Sequence, residues 1–188
     1  KWIEEVTKYT VTFEMNGHGT QVTGQEVKEG ELPTAVEAPV ENGWTFGGWY
    51  KEAECTNKVS DGMILSSGWN YTDVTELYAK WNAIGMEIIF SAGEGTFDTT
   101  GIASNNQLNG WTYAKDVNGK YITATKNINF GDAIGTLPTL TRTGYASFTW
   151  RPYTQGEDSS IVFDQTTEIT ADYVYNTYGS SKTVMATD

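Results

Sequence analysis

Cysteine occurs once in this chain, at Cys55, and histidine once, at His18. A single thiol cannot close an intrachain disulfide or build a thiolate-rich zinc site, so a disulfide-dense secreted scaffold is excluded and stability has to come from packing. With one imidazole, placed among turn residues, a serine-type triad or a histidine-rich metal site has too few parts. Cations are scarce as well: Lys and Arg number 12 against 24 Asp and Glu, for a formal charge of −12. A chain of that sign lacks the clustered cations that release counterions from a phosphate backbone, and nucleic acid is not an expected partner. No run approaches the roughly 20 apolar residues of a membrane-spanning helix, so no membrane insertion is expected. The first residues lack the basic and apolar regions of a signal peptide. The expectation is an excised piece of a longer exported protein, with its signal and anchor outside residues 1–188.

Aromatic residues are what the chain has in abundance. Seven Trp, eleven Tyr and seven Phe supply enough apolar area for two small cores, since each buried ring removes a large surface from water. The periodicity is that of strands and turns almost throughout. Tyr9 to Met15 alternates apolar and polar positions and stops at Asn16-Gly17-His18-Gly19, whose glycines permit a tight turn and a return through Thr20 to Lys28. Leu32 to Pro39 carries two prolines, which limits it to an extended connection or one helical turn. Gly43 to Tyr50 sets large rings among glycines, and Thr75 to Trp81 alternates Leu77, Ala79 and Trp81 with Glu76, Tyr78 and Lys80.

These elements, in this order and at this spacing, resemble the Listeria/Bacteroides repeat, also called the internalin B-repeat, of bacterial surface proteins. The resemblance rests on Val11-Thr12-Phe13 leading to Asn16-Gly17-His18-Gly19, then Leu32-Pro33, Gly43-Trp44-Thr45-Phe46-Gly47-Gly48-Trp49-Tyr50 and Leu77-Tyr78-Ala79-Lys80-Trp81. His18 stands where the family usually has Gly, and Trp44 where it often has Tyr. The resemblance implies a mainly β or α+β fold of tandem, small β-grasp-like (ubiquitin-like) modules with a short or absent helix. It implies a structural signature of Phe13, Gly43, Trp44, Phe46, Trp49, Leu77 and Trp81, export to the bacterial cell surface, Gram-positive wall attachment and no enzymatic role.

A degenerate second copy follows. Met86 to Phe90 with Gly93-Glu94-Gly95 parallels the first strand and turn, Leu137-Pro138 parallels Leu32-Pro33, and Gly144-Tyr145 leading to Trp150 repeats the Gly43-Trp44 to Trp49 spacing. Thr167 to Tyr173 lines up with the closing strand. The expected organisation is a repeat module over 1–84, a degenerate one over 85–176 with an inserted β-hairpin at about 97–127, and a tail or linker over 177–188. The hairpin is read from Trp111-Thr112-Tyr113 and Tyr121-Ile122-Thr123 around Asn118-Gly119. The short Asn82–Gly85 join leads to the expectation of two modules set end to end as a stiff rod.

The function expected is a non-catalytic spacer, stalk or adhesion unit alongside further modules of the same parent chain. The alternative is a dedicated binder of a host glycoprotein or cell-surface glycan. Its candidate rings are Trp69, Tyr71, Trp111, Tyr113 and Tyr153, which sit in loops or the insertion where neither periodicity nor resemblance assigns them to a core. No cofactor and no metal are expected; Glu157, Asp158 and Asp164 read as a solvated acidic loop without the oxygen spacing of an EF-hand.

Overall fold

The computed structural model describes residues 5–29, 31, 33–60, 75–146, 150–152, 170–171, 174, 176 and 183–187. The chain divides into two compact units, Lys1–Ala83 and Ile84–Asp188, and both are mainly β, as the periodicity expects.

Unit 1 holds β1 (Lys8–Glu14), β2 (Gln25–Lys28), β3 (Trp44–Tyr50), β4 (Lys58–Ser60) and β5 (Glu76–Ala83) in one sheet of order β2-β1-β5-β3-β4. The alternation in β1 does its work directly: Val11 and Phe13 are buried while Thr10, Thr12 and Glu14 are exposed. β2 returns antiparallel to β1, with Lys8 opposite Lys28 and Val11 opposite Gln25. β5 then lies on the other side of β1 and runs parallel to it, Phe13 opposite Leu77. β3 completes the inner sheet antiparallel to β5, with Trp49 opposite Ala79 and a register shift between Phe46 and Gly48. Val11, Phe13, Val27, Trp49, Val59, Leu77 and Ala79 form the core, with Phe46 and Trp81 packed against it.

Unit 2 contains β6 (Gly85–Ser91), β7 (Thr96–Phe97), β8 (Gln107–Leu108), β9 (Trp111–Lys115), β10 (Tyr121–Asn129), β11 (Leu140–Thr141), β12 (Trp150–Pro152) and β13 (Thr183–Thr187). Six of these form a sheet of order β12-β13-β6-β10-β9-β8, and β11 pairs with β7 in a two-stranded ribbon. β10 runs antiparallel to β6 from Thr123 opposite Ser91 to Asn129 opposite Gly85. β13 runs parallel to β6 on its other side, Met185 opposite Phe90, and β12 is antiparallel to β13. Ile88, Phe90, Phe97, Trp111, Tyr113, Ala124, Ile134 and Trp150 are central to the core.

Two expectations for the second half are corrected. Of the closing strand expected over Thr167–Tyr173, Thr170 and Ala171 are described, and Ala171 is helical, as are Val174 and Asn176, with the Val174 N–H donating to the Thr170 carbonyl at 3.1 Å. Ala171 and Val174 are three positions apart and both fully buried, the spacing of one helix face. The segment 177–188 is not a tail, because Thr183–Thr187 is an inner strand between β6 and β12; Thr-Val-Met-Ala-Thr has the β-branched content that suits a pleated sheet. The hairpin expected within 97–127 is present as β9 and β10 around Asn118-Gly119. Its β10 pairs with β6 along seven positions and therefore belongs to the main sheet.

Candidate functional site

Of the five rings expected to face a ligand, Trp69, Tyr71 and Tyr153 lie outside the described residues, as do Glu157, Asp158 and Asp164. The other two are corrected by their burial: Trp111 is 0% and Tyr113 4% exposed. Both sit on the inward face of β9. Trp111 meets Phe90 edge-on at 5.1 Å between centroids, and its indole N–H donates to the Thr136 carbonyl at 2.8 Å. Tyr113 meets Phe97 edge-on at 5.4 Å, and burial pushes its hydroxyl pKa up. These rings hold a core together and offer no platform to a ligand. The alternation Trp111-Thr112-Tyr113-Ala114 was the available signal for that, being the pattern of a half-buried strand.

The signature residues divide by depth. Phe13, Trp49 and Leu77 are buried to within 1%, and Phe13 and Trp49 stack tilted at 4.8 Å. Trp44, Phe46 and Trp81 are only half-buried; Trp44 and Trp81 reach the first turn, and Phe46 packs edge-on against Trp81. There Asn16 and Gly17 both take positive φ, which brings the chain back tightly enough to expose the His18 ring to two indoles. His18 lies 4.0 Å from Trp44 and 6.0 Å from Trp81, centroid to centroid. Trp81 is pinned by its indole N–H to the Met15 carbonyl at 2.8 Å. Gly19 must be glycine here, since a Cβ would stand 2.5 Å from Trp81 Cζ2 and its φ is +71°.

Trp44 is delivered by a second turn. Its N–H donates to the Glu41 carbonyl at 3.2 Å, with Gly43 at φ +80°, and the Glu41 carboxylate accepts from the Gly19 N–H at 3.0 Å. The result is a half-exposed group that joins His18 of the turn to Trp44, Phe46 and Trp81 of the signature. Aromatic faces of this kind can stack on an apolar face of a ligand. The groups placed against His18 are rings, so the arrangement does not supply a general base with an orienting carboxylate.

Unit 2 builds a related end. The Tyr145 N–H donates to the Arg142 carbonyl at 3.1 Å, with Gly144 at φ +88°. The Arg142 guanidinium lies 4.2 Å over the Tyr145 ring and forms an ion pair with Glu94 of the first turn. Tyr145 is 63% exposed.

The remaining reactive group is Cys55. It is half-buried, its Sγ 3.4 Å from the Ala53 carbonyl, and Asn16 Nδ2 holds the same corner together by donating to Ala79 at 2.9 Å and Ala53 at 3.2 Å. Desolvation pushes the thiol pKa up, which keeps it protonated and weakly nucleophilic at neutral pH. Among the described residues, no group of three or more His, Cys, Asp or Glu is placed to hold a metal ion.

Residues 9–80 match the family model of the Listeria-Bacteroides repeat domain. Two proteins of Evansella cellulosilytica are similar to this chain. One, named "Putative Gly-rich membrane protein", is 33% identical over 101 residues, which is 51% of this chain and 10% of that protein. The other, named "Putative membrane protein", is 33% identical over 101 residues, 51% of this chain and 13% of that protein. The chain thus spans about a tenth of the length of the curated relatives it matches. No solved structure matches it.

Proposed function

We propose that the chain is a spacer segment of a bacterial cell-surface protein, made of one Listeria-Bacteroides repeat and a divergent second copy, and that it places other parts of the same chain without doing chemistry of its own. The observation that carries this reading is where the repeat signature lies: Phe13, Trp49 and Leu77 close the core of unit 1 and are not available to a substrate. The matched family over 9–80 and the two relatives, both named as membrane proteins, support an exported setting.

The second copy is supported by the arrangement of strands around the first and last strand of each unit. In each unit the first strand is interior and the last strand lies parallel on one side of it; on the other side an antiparallel strand pairs with it, β2 directly after β1 in unit 1 and β10, which follows β8 and β9, in unit 2. In each, the last strand carries an antiparallel neighbour bearing the buried Trp, Trp49 or Trp150. A parallel first and last strand in a mixed sheet is the arrangement of β-grasp modules. The correspondence pairs β13 with β5, in place of Thr167–Tyr173.

A second reading, binding of a glycan or a host-surface glycoprotein, is favoured by the half-exposed His18–Trp44–Trp81 group and by Tyr145. Titration of the folded chain against a glycan panel and host surface glycoproteins separates the two. The spacer reading expects no saturable binding at millimolar ligand. Saturable binding that Trp44→Ala with Tyr145→Ala removes, with the amide spectrum otherwise retained, would replace the spacer by a recognition module.

A further inference from the structure

We propose that each unit is a tension-bearing element in which the first and last strands form a clamp loaded in shear; its biological use rests on the spacer reading, its mechanics on the strand order alone. Tension along the chain enters unit 1 at the start of β1 and leaves at the end of β5. Because β1 and β5 are parallel neighbours, these two points lie at opposite ends of the pair. Pulling therefore slides Thr12, Phe13 and Glu14 along Glu76, Leu77 and Tyr78, and the ladder has to fail as a whole. An antiparallel pair of terminal strands would instead have both loaded ends side by side and would open one hydrogen bond at a time.

The same holds in unit 2. Load entering at Gly85 and leaving at Thr187 slides β6 against β13 over Ile88 to Ser91 and Thr183 to Ala186. Neither clamp is at a sheet edge: β5 is held by β3 and β13 by β12, while β1 and β6 are held by β2 and β10. The inward face of β1 and β5, and that of β6, is dry. Phe13 and Leu77 are 1% and 0% exposed, and Ile88 and Phe90 are 0%, so from that side water has poor access to compete for the loaded hydrogen bonds. Thr12 adds a further tie, its N–H donating to the Thr75 carbonyl at 2.8 Å. Between the units the chain passes from β5 to β6 through Ile84 alone, so tension on one clamp is transmitted to the next with almost no slack.

Single-molecule force spectroscopy on the full chain tests this by changing only the direction of load. Pulled through its two termini, the chain should give two rupture events, releasing about 25 nm and about 35 nm of chain for the β1–β5 and β6–β13 spans at full extension. A second protein carries Cys55→Ser with Lys8→Cys and Lys28→Cys. These exposed lysines are registered partners at the open end of the β1–β2 hairpin, so load between them peels β2 from β1. The hairpin direction should give way at a force severalfold below that for the unit 1 event under terminal load. Terminal rupture at a force no higher than hairpin rupture would overturn the proposal. The glycan titration reads the other question independently: low terminal force without binding removes the clamp and leaves the spacer, whereas high force with saturable binding keeps the clamp and removes the spacer.

Discussion

The two units keep the same aromatic pair and surround it from different strands. In unit 1 Phe13 of β1 meets Trp49 of β3 at 4.8 Å; in unit 2 Phe90 of β6 meets Trp150 of β12 at 4.4 Å. Around that pair unit 1 recruits Phe46 and Trp81 from β3 and β5, the strands of its own signature. Unit 2 recruits Trp111 from β9 and Phe97 from β7. A sheet with interior first and last strands needs a large filler where those strands meet the strand beside them. The outer filling is interchangeable as long as volume is kept. The turn contacts differ in the same spirit: Glu41 reaches the first turn of unit 1 through the Gly19 N–H, and Arg142 reaches that of unit 2 through Glu94.

The most destructive way to break the comparison is to remove residues 183–188. If β13 is the counterpart of β5, its loss strips a strand from between β6 and β12, and unit 2 should lose its native amide dispersion while resonances of unit 1 persist. Retention of a native unit 2 spectrum after this truncation would return 177–188 to the status of a tail and sink the correspondence. Next in size are Trp49→Ala and Trp150→Ala. Each should cost its own unit about 3–5 kcal/mol, the range for emptying a buried large aromatic, read by denaturant unfolding with hydrogen exchange to assign the loss. A cost for Trp150 of less than about 1 kcal/mol would show that the two indoles are not equivalent.

A smaller contrast sits in the turns. Gly19→Ala combines a left-handed φ with a Cβ 2.5 Å from Trp81, whereas Gly144→Ala has the left-handed φ, +88°, and nothing within 4 Å. The first should cost about 2–3 kcal/mol and the second about 1 kcal/mol, the difference being the displacement of the indole. Equal costs in thermal unfolding would mean that Trp81 moves aside freely and that the His18–Trp44–Trp81 group is loosely held.

How much of this was readable in the sequence depended on whether a segment's partners were close in the pattern. β1, β3 and β5 announced themselves, because Val11 and Phe13, the ring-and-glycine run to Tyr50, and Leu77 with Ala79 each carry their own alternation or glycine spacing. β13 did not, since five residues of Thr, Val, Met and Ala just after Gly179-Ser180-Ser181 look like the fringe of a polar tail. Only its place between two other strands makes it interior. Thr167–Tyr173 misled for the opposite reason: its similarity to Thr75–Trp81 outweighed the three-residue spacing of Ala171 and Val174, which fits a helix face equally well. The His18–Trp44 contact could not be inferred at all, because it joins two turns that are distant in the chain and carry no shared pattern.

The finest contrast is between the carboxylates that tie loops. In unit 1 the Glu52 carboxylate accepts from the Thr56 hydroxyl and from the Asn57 and Thr56 N–H groups, which holds its pKa below the usual value. In unit 2 Asp116 accepts from the Lys120 and Asn118 N–H groups and Asp98 from the Thr100 hydroxyl and N–H, with the same direction of shift. A folded pKa below the unfolded one means the carboxylate contributes stability above the unfolded pKa and loses it as pH falls through the folded pKa. Both units should therefore hold these loops unchanged at neutral pH and release them only below about pH 4, the ordinary carboxylate range. Amide shifts of Thr56 and Asn57, of Lys120 and of Thr100 followed through an acid titration read each loop separately. Asp116→Asn should abolish the Lys120 midpoint and leave those of Asn57 and Thr100 in place. Midpoints at or above the ordinary carboxylate values would show that these hydrogen bonds do not hold the ionised form, and the loops of the two units would then owe their shape to backbone turns alone.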